Sequence, residues 1–174
     1  MNRRSFLSYG IAFGALAAVS GSSISFAAVF DDGKNRREAK DVVGRVVKTD
    51  EEWKKILTPE QYAVARHAGT EAPGSSALDK FYEKGTYLCV CCDLPVFSSK
   101  AKFNSHTGWP SFWEPISKRH VREVVDNSLS ETRTEVQCAR CDAHLGHVFD
   151  DGPAPTGLRY CMNGVALKFV AGKA

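Results

Sequence analysis

Two hydrophobic patterns divide this chain. Trp53, Ile56 and Leu57 recur at helical spacing directly after Thr49-Asp-Glu-Glu52, a run with the form of a capping box. Thr58-Pro59-Glu60-Gln61 starts a second helix, with Pro59 at the first helical position, and Gly69 ends it. Residues 72–77 are rich in Pro, Gly and Ser and read as a loop. Beyond them the pattern becomes β, over Gly85-Thr-Tyr-Leu88, Pro95-Val-Phe97, His120 to Val125, Thr134-Glu-Val-Gln137 and Leu158 to Val170. Nothing between these runs has the length and period of a crossover helix, so the strands are predicted to pair antiparallel. No repeat is present beyond two Cys-x-x-Cys knuckles.

In the last run, Leu158-Arg-Tyr-Cys-Met-Asn163, a period of two puts Arg159, Cys161 and Asn163 on one face. Val165, Leu167 and Phe169 are predicted to continue that face, so that Cys161 stands where a polar patch meets the core.

At 174 residues and 43% hydrophobic content the chain has room for one core. The net charge is +3, but residues 1–27 hold Arg3 and Arg4 and no acid. The remaining 21 basic and 20 acidic residues nearly cancel, which gives no electrostatic case for nucleic acid. Asn2-Arg3-Arg4-Ser5-Phe6-Leu7 resembles a twin-arginine export signal, followed by an apolar stretch from Tyr9 to Val19. Ser25-Phe26-Ala27 supplies small residues for cleavage after Ala27. An uncleaved membrane tether is the alternative, but the stretch is short against the about 20 residues a bilayer needs. The predicted layout is therefore a signal over 1–27, a flexible lead-in over 28–45 and one domain over 46–171, exported to the periplasm as a monomer without stable membrane insertion.

Four of the six cysteines form two pairs, Cys89/Cys92 and Cys138/Cys141, with 46 residues from Cys92 to Cys138. Knuckles at this spacing are the sequence form of a closed four-cysteine zinc site, holding one structural Zn2+ per chain. Disulfides are the alternative in an exported protein. Export of an already folded chain reconciles zinc thiolates with an oxidising destination. Cys91 is a spare thiol in the first knuckle, either packing or a second redox partner.

Cys161 beside Arg159 reads as a nucleophile whose thiolate is favoured by the guanidinium. Upstream, His144-Leu-Gly-His147-Val-Phe-Asp150-Asp151 brings two histidines that suit proton delivery, with Asp151 expected to orient one imidazole. Trp109, fixed between Gly108 and Pro110, suits the wall of a small apolar pocket; Phe112 and Trp113 fit core or pocket. Such a pocket suits a polar, uncharged substrate containing sulfur or a carbonyl. A zinc-ribbon binding module would leave Arg159, Cys161 and the histidines unused. A Cys-His thiol hydrolase would pair Cys161 with His144 or His147.

Taken together, Leu57-Thr-Pro-Glu-Gln-Tyr62, Gly69-Thr-Glu71, the two knuckles, Gly108-Trp-Pro-Ser-Phe112, His144-Leu-Gly-His147-Val-Phe149 and Arg159-Tyr-Cys-x-Asn163 resemble the methionine sulfoxide reductase B family, in its zinc-containing branch. The resemblance implies a mainly β fold of two antiparallel sheets, tent- or barrel-like, with short N-terminal helices. It implies reduction of the R epimer of methionine sulfoxide, in oxidised proteins or peptides, with a thioredoxin-like reductant. Cys161 would attack the sulfoxide sulfur and become a sulfenic acid. His144, His147 and Asp151 would assist protonation of the oxygen. Trp109 and Phe112 would bind substrate, Arg159 and Asn163 would support the thiolate, and Cys89, Cys92, Cys138 and Cys141 would hold zinc. Many members carry a resolving cysteine just before Gly-Trp-Pro-Ser-Phe, where this chain has Thr107. Resolution is then expected from Cys91 or from an external thiol. Gly164 stands where serine is common.

Overall fold

The computed structural model describes residues 43–172. The expected export signal lies outside the described residues, as does the lead-in before Val43. Both helices begin where the sequence places them. In α1 (Asp50–Ile56), Thr49 Oγ1 accepts from the Glu52 N–H at 3.3 Å, while Glu52 Oε2 accepts from the Thr49 N–H at 2.7 Å. Thr58 and Gln61 repeat this reciprocal cap at the start of α2 (Pro59–His67). Both caps satisfy N–H groups that a first helical turn leaves without partners. The second helix stops at Ala68, which takes the left-handed conformation one residue before Gly69. Trp53, Val64 and Ala65 are the side chains that these short helices bury.

Nine strands follow among the described residues, in two antiparallel sheets. The smaller sheet joins β1 (Gly85–Cys89), β2 (Pro95–Ser98) and β9 (Leu167–Ala171) in the order β2-β1-β9. The larger holds β3 (Lys102–Phe103), β4 (Ser111–Phe112), β5 (Val121–Asp126), β6 (Arg133–Cys138), β7 (His144–Phe149) and β8 (Arg159–Met162), in the order β3-β4-β8-β7-β6-β5. Aromatic rings join the two. Phe97 from the small sheet stacks on Phe112 from the large one at 4.5 Å, and Tyr87 meets Phe112 edge-on at 4.9 Å. Each ring is wholly buried, and burial of one such side chain stabilises the fold by roughly 2–3 kcal/mol.

The run from Leu158 to Val170 is not one strand. After Met162 the chain leaves the large sheet, makes a short 3-10 turn over Gly164–Ala166 and enters the small sheet as β9. The cause is Glu71, whose buried carboxylate accepts the N–H groups of Gly164 and Val165 at 2.7 and 2.8 Å. With those donors engaged, a strand ladder cannot continue there. Val165, Leu167 and Phe169 therefore do not extend the face of Cys161. Of the lead-in, Arg45 is anchored: its Nη1 donates to Asp142 Oδ1 at 2.7 Å.

Candidate active site

Strand register assembles the candidate group. Cys161 on β8 stands directly opposite His147 on β7 and, on its other flank, Ser111 on β4. Their neighbours Tyr160 and Phe112 point to the other face and are wholly buried. A cavity of ≈ 120 Å³ opens beside Cys161, walled by Trp109, His147, Phe149 and Asn163, with Thr70, Arg133 and Gly146 completing it. Trp109 is fixed by its indole N–H, which donates to the Glu71 carbonyl at 3.1 Å. Gly108 makes the turn before it at φ 89°, and a Cβ there would lie 2.9 Å from Gly74 N and from Pro73 Cβ. Only glycine meets both conditions.

His144 and His147 are three residues apart, so a regular strand would turn them to opposite faces. A register shift at Val136/Gln137 pairs Gln137 with His144 and Glu135 with His147. Such a bulge absorbs one residue of β7 and returns both imidazoles to one face, with centroids 5.3 Å apart. Each has its own carboxylate. His144 Nδ1 donates to Glu135 Oε1 at 2.6 Å, and His147 Nε2 donates to Asp126 Oδ2 at 2.8 Å. Arg133 also donates to Asp126 at 2.7 Å. Burial pulls the His144 imidazole below its usual range, against the opposing pull of Glu135. Hydrogen bonds from Ser128, then from His147 and Arg133, hold Asp126 well below the ordinary carboxylate range.

Several expected placements change. Asp151 touches no imidazole; it receives Arg159 Nε and an Arg159 Nη, both at 2.8 Å. The guanidinium also lies over the Phe149 ring at 4.4 Å. Burial raises the Cys161 thiol, and the opposing effects of Thr107, Arg159 and Ser111 do not overcome it. Arg159 favours the charged form, as expected, but it is already paired with Asp151 and desolvation outweighs it. Asn163 lines the cavity, yet its amide serves the scaffold: Oδ1 accepts from the Glu71 N–H at 3.0 Å and Nδ2 donates to the Leu145 carbonyl at 3.3 Å. Phe112 is core, stacked on Phe97, and lies outside the cavity. Cys91 is buried beside Cys89 and Cys141, and its thiol is pushed up to about 12, chiefly by Cys141. The polar neighbours of Cys161 are instead Thr107, Ser111 and Arg159.

The sequence reading missed Glu135, Asp126, Arg133 and the central place of Glu71. The signal for Glu135 was its alternation with Gln137 on a polar strand face. That signal gains meaning only once β7 is known to be the neighbour.

The paired cysteines meet at the ends of β1 and β6. The two knuckles share a local geometry: Asp93 and Asp142 follow them at φ 60° and 57°, and their N–H groups return to the Cys89 and Cys138 carbonyls at 3.0 and 2.9 Å. The Sγ atoms of Cys89, Cys92, Cys138 and Cys141 lie within 4.8 Å of one another, with Cys89–Cys141 at 3.7 Å and Cys92–Cys138 at 3.5 Å. These separations are far too long for disulfides. They match the about 3.8 Å edge of a tetrahedron with metal–sulfur bonds of about 2.3 Å. The cluster therefore fits a metal ion held by four sulfurs.

Residues 57–171 match the SelR domain family. The chain is 57% identical to "Peptide methionine sulfoxide reductase MsrB" of Pseudomonas entomophila (strain L48) over 123 residues, covering 71% of this chain and 94% of that protein. Against the protein of the same name from Methanosarcina barkeri (strain Fusaro / DSM 804) the identity is 57% over 124 residues, covering 71% and 87%. A third, from Thioalkalivibrio sulfidiphilus (strain HL-EbGR7), is 56% identical over 123 residues, covering 71% and 90%.

Proposed function

This chain belongs to the SelR domain family and is a peptide methionine sulfoxide reductase, and from that premise we propose how its own residues act. Support comes from one observation above all: Cys161 and His147 face each other across two paired strands inside a small cavity walled by Trp109. The Cys161 sulfur attacks the sulfoxide sulfur of the R epimer, and His147, oriented by Asp126, protonates the oxygen. The S–O bond to methionine breaks as oxygen passes to Cys161, leaving methionine and a cysteine sulfenic acid. Trp109 contacts the substrate methyl group. His144, held by Glu135, braces His147 from behind.

An external thiol then condenses with the sulfenic acid, releasing water and leaving a mixed disulfide, and a second thiol frees Cys161. A thioredoxin-like dithiol supplies both equivalents. Cys91 is set aside as the resolving thiol, since it is buried among the knuckle cysteines. Zinc at Cys89, Cys92, Cys138 and Cys141 closes the fold and takes no part in the chemistry. For residues 1–27 we propose a cleaved export signal, tested by sequencing the mature amino terminus from a periplasmic fraction, where a start other than Ala28 counts against cleavage after Ala27.

The decisive assay is reduction of racemic methionine sulfoxide with dithiothreitol, scored by epimer. The R epimer alone is expected to be consumed, and Cys161→Ser is expected to lose turnover while keeping its fold and metal. Substantial turnover in Cys161→Ser, or consumption of the S epimer, refutes the assignment.

A further inference from the structure

Thr107 lies at the position where a resolving cysteine is expected from the family resemblance, and it is not isolated. Its Oγ1 is 3.8 Å from Cys161 Sγ and 2.8 Å from Ser105 Oγ; Ser105 Oγ is in turn 2.6 Å from Ser111 Oγ. Ser111 Oγ donates to the Trp109 carbonyl at 3.1 Å. Each hydroxyl has one hydrogen to give, so the directions are set by counting. With the Ser111 hydrogen on Trp109, Ser105 donates to Ser111 and Thr107 donates to Ser105. The thiol of Cys161 is then the remaining donor, to Thr107. When Cys161 loses its proton, every bond in the row can reverse by rotation about a C–O bond alone. Thr107 then donates to sulfur, Ser105 to Thr107, and Ser111, which itself also lies beside the sulfur, to Ser105, releasing the Trp109 carbonyl.

We infer that Thr107, Ser105 and Ser111 form a reversible hydroxyl wire that stabilises the ionised sulfur of Cys161 and reports its charge to the backbone of Trp109. These are positioning residues, and the inference rests on Cys161 being the nucleophile. Charged groups around that sulfur come from several elements: Arg159 with Asp151 on β8 and its preceding loop, His147 on β7 with Asp126 on β5, and Arg133 on β6. Among them the row of hydroxyls answers a specific difficulty. The thiol is desolvated, its one adjacent guanidinium is engaged, and hydroxyl dipoles that turn at no cost in heavy-atom movement supply the missing donor. Since Thr107 has no sulfur, it stabilises the reactive state without consuming it.

The test is the pH profile of Cys161 alkylation by iodoacetamide in the metal-loaded protein, read by mass spectrometry of the Cys161 peptide. It needs no sulfoxide turnover, so it separates this inference from the reading of Cys161 as the nucleophile, which Cys161→Ser tests alone. Thr107→Val is expected to raise the apparent pKa by about one unit, slowing alkylation at pH 7 about tenfold. Thr107→Ser restores the wild-type profile. Ser105→Ala, which touches neither the thiol nor the cavity, shifts it the same way by a smaller step. An unchanged profile in Thr107→Val overturns the inference, and so does a shift in Thr107→Val that Ser105→Ala does not share.

Discussion

At the scale of single residues, the site is built from side chains held by partners that sequence alone did not name. Cys161, His147 and Trp109, singled out because their types and spacing carry chemistry, line one cavity. Asp126 and Glu135 were not singled out, because a carboxylate on a strand looks the same whether it faces water or an imidazole. Asp151 was assigned to a histidine by nearness in sequence, yet the planar two-point match with Arg159 outcompetes that pairing. The buried pair His144–Glu135 has a measurable consequence. The imidazole is held below its ordinary value of 6.5 by burial, so the unfolded chain binds a proton that the folded one refuses. Stability from this group is complete above that ordinary value and is lost as pH falls below it. Asp126 and Asp151 are depressed carboxylates, and their contribution is lost only in the more acidic range near or below the ordinary carboxylate value. Urea unfolding at pH 7.5 and 5.5 should therefore show a loss in wild type that His144→Asn largely removes. An equal loss in that variant would assign the effect elsewhere.

Among the elements, both helices and the strands β1, β2, β5 and β6 were readable, since capping boxes and alternating apolar residues are local signals. The strand β7 was read only as a histidine-rich stretch. Its bulge and its glycine break the alternation, and its polar residues are buried by neighbours distant in sequence. Even β4, just two residues long, carries too little pattern to be seen. Gly146 shows how tightly β7 meets β8: a Cβ there would lie 2.2 Å from the Cys161 carbonyl oxygen and 2.9 Å from Met162 Cα. Both are backbone atoms, so the strands must part. Gly146→Ala is expected to destabilise the protein by about 3 kcal/mol, the upper end for overpacking, and to depress turnover more than tenfold by displacing Cys161 from His147. Thermal unfolding and kcat measured on the same sample check this, and wild-type values for both would refute it.

For the whole molecule, the four-sulfur cluster joins the end of β1 in the small sheet to the end of β6 in the large one. That closure was legible from cysteine spacing, whereas the crossing between sheets after Met162 was hidden because it depends on Glu71, some 90 residues earlier in sequence. Structural zinc in peptides contributes folding free energy on the order of 10 kcal/mol, and with zinc at these four sulfurs, as proposed, much of the stability here should depend on it. Chelation, or Cys138→Ser, is expected to remove about one zinc per chain and lower the Tm by more than 15 °C; metal-free protein with an unchanged Tm would contradict this. Glu71 carries a different consequence. Its carbonyl anchors the Trp109 indole, while its carboxylate anchors the chain's passage from one sheet to the other. The Trp109 wall of the cavity and the alignment of the sheets thus have one common keystone, and neither can drift without the other. Inherited or selected changes in substrate preference should therefore gather at Thr70 and Phe149 in the cavity lining, leaving Glu71 untouched.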